Sequence, residues 1–247
     1  MIVIGDSHMT PSRAALFIGT HFSEIIAKKY DFNLIPYCRG GMSNGGIAIC
    51  LHTALTEHPH PDLILLGTTQ HERFEWPFGT KGCRSSPSIR DLRYENHQSI
   101  SHKLPLAGDD PRIISAAIRD IIDQKGKTWE KGYTSYGDPV TERLTALKMY
   151  FEFIYDPNLK FFLDQQLVYA MYHKLHRSKI PYIICRDPLD VVTKSMQDII
   201  PKNRFCWDEI RSILSGSEID NDPGYHSDPS KQIEIADLLI TRLNLIL

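Results

Sequence analysis

Met1-Ile2-Val3-Ile4-Gly5-Asp6-Ser7-His8 opens the chain. A short run, Ile2 to Ile4, stops at a glycine, and an acid, a hydroxyl and an imidazole follow at once. β-Branched residues suit strands. The run therefore reads as a buried strand that delivers Ser7 just past its end. In open α/β sheets, ligands bind outside the carboxyl ends of the strands. Ser7 is thus a candidate nucleophile, provided that the rest of the chain supplies a base, an oxyanion site and a pocket.

The neighbouring segments extend that strand into a sheet. From Ser12 to Tyr30, apolar residues Ala15, Leu16, Phe17, Ile18, Phe22, Ile25 and Ile26 recur near a helical period. Phe32 to Tyr37 reads as a second strand. The glycine-rich turn Arg39-Gly40-Gly41-Met42-Ser43-Asn44-Gly45-Gly46 then opens a helix through Ile47, Ile49, Leu51 and Leu55, stopped near Pro59. Asp62-Leu63-Ile64-Leu65-Leu66-Gly67 is a continuous apolar run, as expected of a strand covered on both faces. The order β-α-β-α-β implies parallel strands and right-handed crossovers.

Beyond Thr68 the pattern breaks. Gln70 to Leu106 is polar and aromatic with no clear period, and reads as a long excursion over one sheet edge. Helices return behind Asp-Pro pairs, an N-cap acid followed by proline at the first helical position. These pairs stand at Asp110-Pro111, Asp138-Pro139, Asp156-Pro157 and Asp228-Pro229. Ile180 to Cys185 reads as the fourth strand, residues 186 to 202 as holding a short helix, and Arg204 to Trp207 as a fifth strand. The expected fold is a single three-layer α/β/α, flavodoxin-like domain over 1–247. It has about five parallel strands and a loop and helical insertion, about 71–155, between strands three and four.

Composition narrows the function classes. The chain has 247 residues, 42% hydrophobic and 23% charged, with a formal net charge of −2, so nothing in it attracts nucleic acid or an anionic membrane surface. The five cysteines (38, 50, 83, 185 and 206) are scattered and odd in number, which argues against a disulfide framework or a zinc site and for a reducing compartment. Met1 leads directly into a strand, so no signal peptide is read, and no apolar stretch is long enough to span a bilayer.

In a parallel sheet all strand carboxyl ends face one edge. Ser7, Gly41, Thr69 and the late His226 can meet there despite their separation. Gly5-Asp6-Ser7, the second-block glycine, Gly67-Thr68-Thr69-Gln70 after the third strand, and Asp222-Pro223-Gly224-Tyr225-His226 before the last helix resemble the blocks of the SGNH/GDSL hydrolase superfamily. The resemblance covers 1–70 and 180–247. It implies that Ser7 is the nucleophile, His226 its base and Asp222 the group that orients the base. It also implies an oxyanion hole built from the backbone N–H groups of Ser7 and Gly41, with Gly40 as the other register. Thr69 stands where the family has an asparagine, so its hydroxyl or Asn44 would be the side-chain donor, and Gln70 is a further substitute. Asp222 precedes His226 by four residues where the family has three.

The chemistry so implied is ester hydrolysis through an acyl-enzyme, needing no cofactor or metal. The substrate would be a small-molecule or glycan ester, contacted by Asp6, Gln70 and Arg73; an O-acetylated glycan suits the polar loop. The alternative is a non-catalytic SGNH-fold binding or assembly protein, for instance a phage virion or surface component. A flavodoxin-like nucleotide binder is a weaker third. The expected location is cytoplasmic or virion-associated, with a homo-oligomer or virion assembly partner left open. His58-Pro59-His60 reads as a surface turn, and the pair His173 and His176 as a solvated helix face, rather than as metal sites.

Overall fold

The computed structural model describes residues 1–11, 21–38, 43–69, 74–77, 97–100, 149, 153–189, 200–215 and 229–247; of Ser7, Pro157, Ser215 and of residues 74–77 and 97–100 it describes the backbone alone. The helices expected behind Asp110-Pro111 and Asp138-Pro139, and residues 190–199 of the 186–202 segment, lie outside the described residues.

The chain forms an α/β fold. Strands β1 (Ile2–Gly5), β2 (Ile35–Cys38), β3 (Ile64–Gly67) and β6 (Tyr182–Arg186) make one parallel sheet in the order β2-β1-β3-β6. β4 (Phe74–Pro77) and β5 (His97–Ile100) pair antiparallel in a separate ribbon. Five helices are described: α1 (Phe22–Tyr30), α2 (Asn44–Glu57), α3 (Pro157–Ser178), α4 (Trp207–Ser215) and α5 (Pro229–Leu243). No helix among the described residues is long and apolar enough to cross a membrane.

The alternation of each strand divides the core into two. Ile2, Ile4, Ile64, Leu66, Tyr182 and Ile184 pack with Ile47, Leu51 and Ala54 of α2 and Val168, Tyr172 and Leu175 of α3. Val3, Leu63, Leu65, Ile183 and Cys185 pack with Phe22 and Ile26 of α1, Ile210 of α4 and Ile235, Leu239 and Leu243 of α5. β1 and β3 are buried along their whole length, which is why they read as unbroken apolar runs rather than as alternating ones.

Two expectations are corrected. The main sheet has four strands among the described residues, not about five. Phe205 contributes a single parallel bridge to Ile184, and Cys206 donates one backbone bond, 3.0 Å, to the Ile184 carbonyl. The segment does not extend as a strand because α4 begins at Trp207. Asp208 and Glu209 stand in the first turn of α4, where acids suit the helix dipole. The helical reading of Ser12 to Tyr30 is not continuous: His21 is extended (φ −69°, ψ 141°) and caps α1, which begins at Phe22, while residues 12–20 lie outside the described residues. Elsewhere the local signals hold. Ser43 caps α2, accepting from Gly46 N–H at 3.3 Å. Asp156 caps α3 with Pro157 at the first position, accepting from the N–H groups of Asn158 and Leu159 at 2.8 and 3.2 Å.

Candidate active site

The site is laid out along the carboxyl edge of the sheet. β1 ends at Gly5, whose φ of +156° lies where side chains are disfavoured. A methyl there would also sit 2.8 Å from the Gly67 carbonyl oxygen, and closer still to the Met9 side chain. A 3-10 turn, Ser7–Met9, follows. It is closed by the Met9 N–H donating to the Asp6 carbonyl at 3.1 Å and by Thr10 Oγ1 donating to the same oxygen at 3.0 Å. The buried Met9 side chain lies over Gly5 and Gly67, and both glycines make room for it.

Asp6 holds this turn to the rest of the sheet. Its carboxylate is fully buried. Oδ1 accepts from the His8 N–H at 3.0 Å, and Oδ2 accepts from the Thr69 hydroxyl at 3.0 Å and from the Arg186 guanidinium. The ends of β1, β3 and β6 therefore meet on one carboxylate. Arg186 reaches it from a β-bulge: Leu66 pairs with Ile184 and Gly67 with Arg186, leaving Cys185 as the extra residue. The Arg186 guanidinium also lies over the Trp207 ring, with Cζ 5.9 Å from the ring centroid.

Asn44, the first residue of α2, makes the next link. Its Oδ1 accepts from the Thr69 N–H at 2.9 Å, while its Nδ2 donates to the Thr69 carbonyl at 2.8 Å and to Asp164 Oδ2 at 3.1 Å. Lys160 donates to the same Asp164 oxygen at 2.6 Å, one helical turn away on α3. The arrangement leaves the Thr69 hydroxyl hydrogen on Asp6 and both Asn44 amide hydrogens on protein oxygens. Behind them, the Tyr172 and Thr68 hydroxyls lie 3.3 Å apart, and burial pushes the Tyr172 phenol well above its ordinary pKa.

His21 ties the Ser7–Met9 turn to α1. Its ring is buried; Nδ1 accepts from the Ser23 N–H at 3.3 Å and Nε2 faces the His8 carbonyl at 3.1 Å. That pair of contacts selects the neutral ring with the hydrogen on Nε2. Burial lowers its pKa from 6.5 to about 4, opposed by the bond to the His8 carbonyl.

Of the residues singled out from the sequence, Asp6, Thr69 and Asn44 come together here in one hydrogen-bonded group. The Ser7 side chain, Gly41, Gln70, Arg73, Asp222 and His226 lie outside the described residues. Three members were not singled out. Arg186 was visible as a charge at the end of the fourth strand. Asp164 was visible four residues from Lys160 on a helix. His21 carries no conventional capping signature. Among the described residues, no group of three or more His, Cys, Asp or Glu is placed to hold a metal. No family model matches the chain, and no curated protein is significantly similar to it in sequence.

Proposed function

We propose that the protein is a serine esterase of the SGNH type, built as a three-layer, flavodoxin-like domain. The observation that carries this reading is the position of Ser7. It stands two residues past β1 at the carboxyl edge of a parallel sheet, in a turn whose preceding carboxylate is fixed by three strand ends. The strand order β2-β1-β3-β6 supports it, because β1 and β3 are the strands at which a flavodoxin-like sheet changes direction, and ligands bind at that crevice.

In this reading His226 removes the proton of the Ser7 hydroxyl as Oγ attacks the ester carbonyl. The same proton passes to the leaving alcohol as the ester C–O bond breaks. Water, deprotonated by His226, then releases the acid from Ser7. Asp222 holds the His226 tautomer. The backbone N–H groups of Ser7 and Gly41 receive the developing oxyanion. Thr69 and Asn44, whose hydrogens go to Asp6, Asp164 and the Thr69 carbonyl, serve by holding the strand ends in place. A glycan ester, with O-deacetylation as the favoured case, suits the Arg- and His-bearing segment after β3. The test is labelling with a fluorophosphonate, which reacts with an activated serine, alongside turnover of p-nitrophenyl esters. Labelling of the intact protein that is lost in Ser7→Ala, with esterase activity falling at least about 10³-fold in that variant, is the expected result. An unlabelled Ser7 in folded protein rejects it.

One observation favours a second reading, that of a binding or assembly protein on the same fold. The side chains of Thr69 and Asn44 are engaged internally, so neither presents a hydrogen to an oxyanion as arranged. Absence of turnover on a broad ester panel, together with a stable partner complex, would select it.

A further inference from the structure

The Ser7–Met9 turn contains a carbonyl that its own sequence cannot serve. In a 3-10 turn the carbonyl of one residue accepts from the N–H three residues on. For His8 that residue is Pro11, which has no N–H. Nε2 of His21 faces the His8 carbonyl instead, at 3.1 Å and from 13 residues away. The ring is held in the tautomer this bond needs. Its Nδ1 faces the N–H and the hydroxyl of Ser23 at 3.3 and 2.6 Å. Nδ1 therefore accepts, the hydrogen sits on Nε2, and Nε2 donates to His8.

The anchor of this bond is itself fixed. His21, Phe22 and Ser23 are all buried. Phe22 is the first residue of α1, where an N–H has no partner within the helix. It donates to Gln232 Oε1 of α5 at 3.0 Å, across 210 residues. The His21 N–H donates to Glu24 Oε2 at 3.1 Å. The start of α1 is thus bound to α5 on one side and to the turn on the other. Asp6 meanwhile accepts from the His8 N–H at 3.0 Å. His8 is held twice, at its N–H from the end of β1 and at its carbonyl from α1, and it is the residue directly after Ser7.

We infer that His21 is a positioning residue: beyond capping α1, its bond to the His8 carbonyl holds the backbone of the Ser7–Met9 turn where the reaction at Ser7 needs it. The inference rests on the reading of Ser7 as a nucleophile. Cap and tether use different nitrogens of one ring, so substitution can separate them. Asparagine reproduces the capping end and is too short to reach the His8 carbonyl. Glutamine carries an N–H donor near the place of Nε2 but is a poorer cap.

The experiment compares His21→Asn and His21→Gln with wild type in the full chain. Three quantities are read: the urea midpoint, hydrogen exchange of the Met9 amide, which closes the turn on the Asp6 carbonyl, and the rate of fluorophosphonate labelling at Ser7. His21→Asn is expected to stay folded, to exchange Met9 about tenfold faster and to label about tenfold more slowly, since small displacements of a reacting group are costly in rate. With a p-nitrophenyl ester its kcat falls while KM stays. His21→Gln is expected to be the less stable of the two and yet to exchange and label near the wild-type rates. Labelling in His21→Gln no faster than in His21→Asn makes His21 a cap alone and overturns the inference. So does a folded His21→Asn in which either Met9 exchange or labelling is unchanged. Should His21→Asn not fold, His21→Gln decides: wild-type labelling at reduced stability supports the tether, and slowed labelling overturns it. An unlabelled Ser7 in folded wild type overturns the nucleophile reading, and this inference falls with it.

Discussion

Asp6 is a carboxylate with no contact to water, at the point where the Ser7–Met9 turn leaves the sheet. A buried charge is tolerated only when it is paired and hydrogen-bonded. Here the pairing comes from Arg186, 180 residues away in the chain, and the remaining capacity is filled by the His8 N–H and the Thr69 hydroxyl. The pair is worth little net against an apolar replacement of both partners, but breaking it strands one charge. Arg186→Met is therefore expected to cost about 3–5 kcal/mol, whereas Asp6→Leu combined with Arg186→Met costs much less than the sum of the two single changes. Urea unfolding of the three variants measures this, and additivity of the two single changes would refute the pairing argument. The role of Asp6 was only half legible in the sequence. Gly-Asp-Ser marked it as part of the site, and the resemblance offered it as a substrate contact. A contact 180 residues distant leaves no local pattern, so its partner stayed hidden.

At the scale of the element, α1 illustrates how periodicity can hide a boundary. Ala15 to Ile18 continue the apolar spacing of Phe22 to Ile26, so the pattern shows no break at His21. The helix starts at Phe22 because His21 replaces its missing bonds. The ring accepts from the Ser23 N–H, and Glu24 accepts from the His21 N–H at 3.1 Å. Histidine is not among the preferred caps, which is why the boundary was invisible. The cap has a consequence for pH. The folded pKa of His21 is depressed from 6.5 to about 4, so the unfolded chain binds this proton more readily than the folded one. Stability from this group is complete above about pH 6.5 and is lost as pH falls towards 4, by roughly 3 kcal/mol at the limit. His21→Asn keeps a capping side chain and removes the titration. Its stability is expected to fall less steeply than that of wild type between pH 6.5 and 4, as read by urea midpoints at each pH; parallel slopes would exclude His21 as a source of acid sensitivity. The apolar strands were easier. β1 and β3 carry their signal in consecutive residues, whereas Phe205 forms one bridge before the acids of the first turn of α4 take over, and a single bridge has no period to detect.

Across the whole molecule, the two core layers are separate apolar masses, and the carboxyl edge of the sheet is where polar groups join them. Asn44 links the start of α2 to the end of β3 and, through Asp164, to α3. Thr69 carries the link on to Asp6, and Asp6 to β6 and the Ser7–Met9 turn. No apolar contact could make this connection so specifically, because each bond fixes an angle as well as a distance. The sheet and its helical cover were legible from the chain because they follow from local period and composition. This network was not, because it depends on which strand ends meet. The network predicts coupling. Asn44→Ala removes two donated bonds and one accepted bond at a fully buried position, and is expected to cost about 2–4 kcal/mol, since unmet buried polar groups on Thr69 are left behind. Asn44→Asp places a carboxylate against Asp164 and is expected to be worse than alanine unless Asp164 is also neutralised; Asp164→Asn should rescue it. A double-mutant cycle on Asn44→Asp and Asp164→Asn, read by urea unfolding, is expected to return a favourable coupling of about 1–3 kcal/mol. If the proposed reaction depends on this edge, Asn44→Asp also slows fluorophosphonate labelling of Ser7, and the Asp164→Asn rescue restores stability and labelling rate together. Recovery of stability without recovery of labelling would mean that the network supports the fold but does not position the nucleophile.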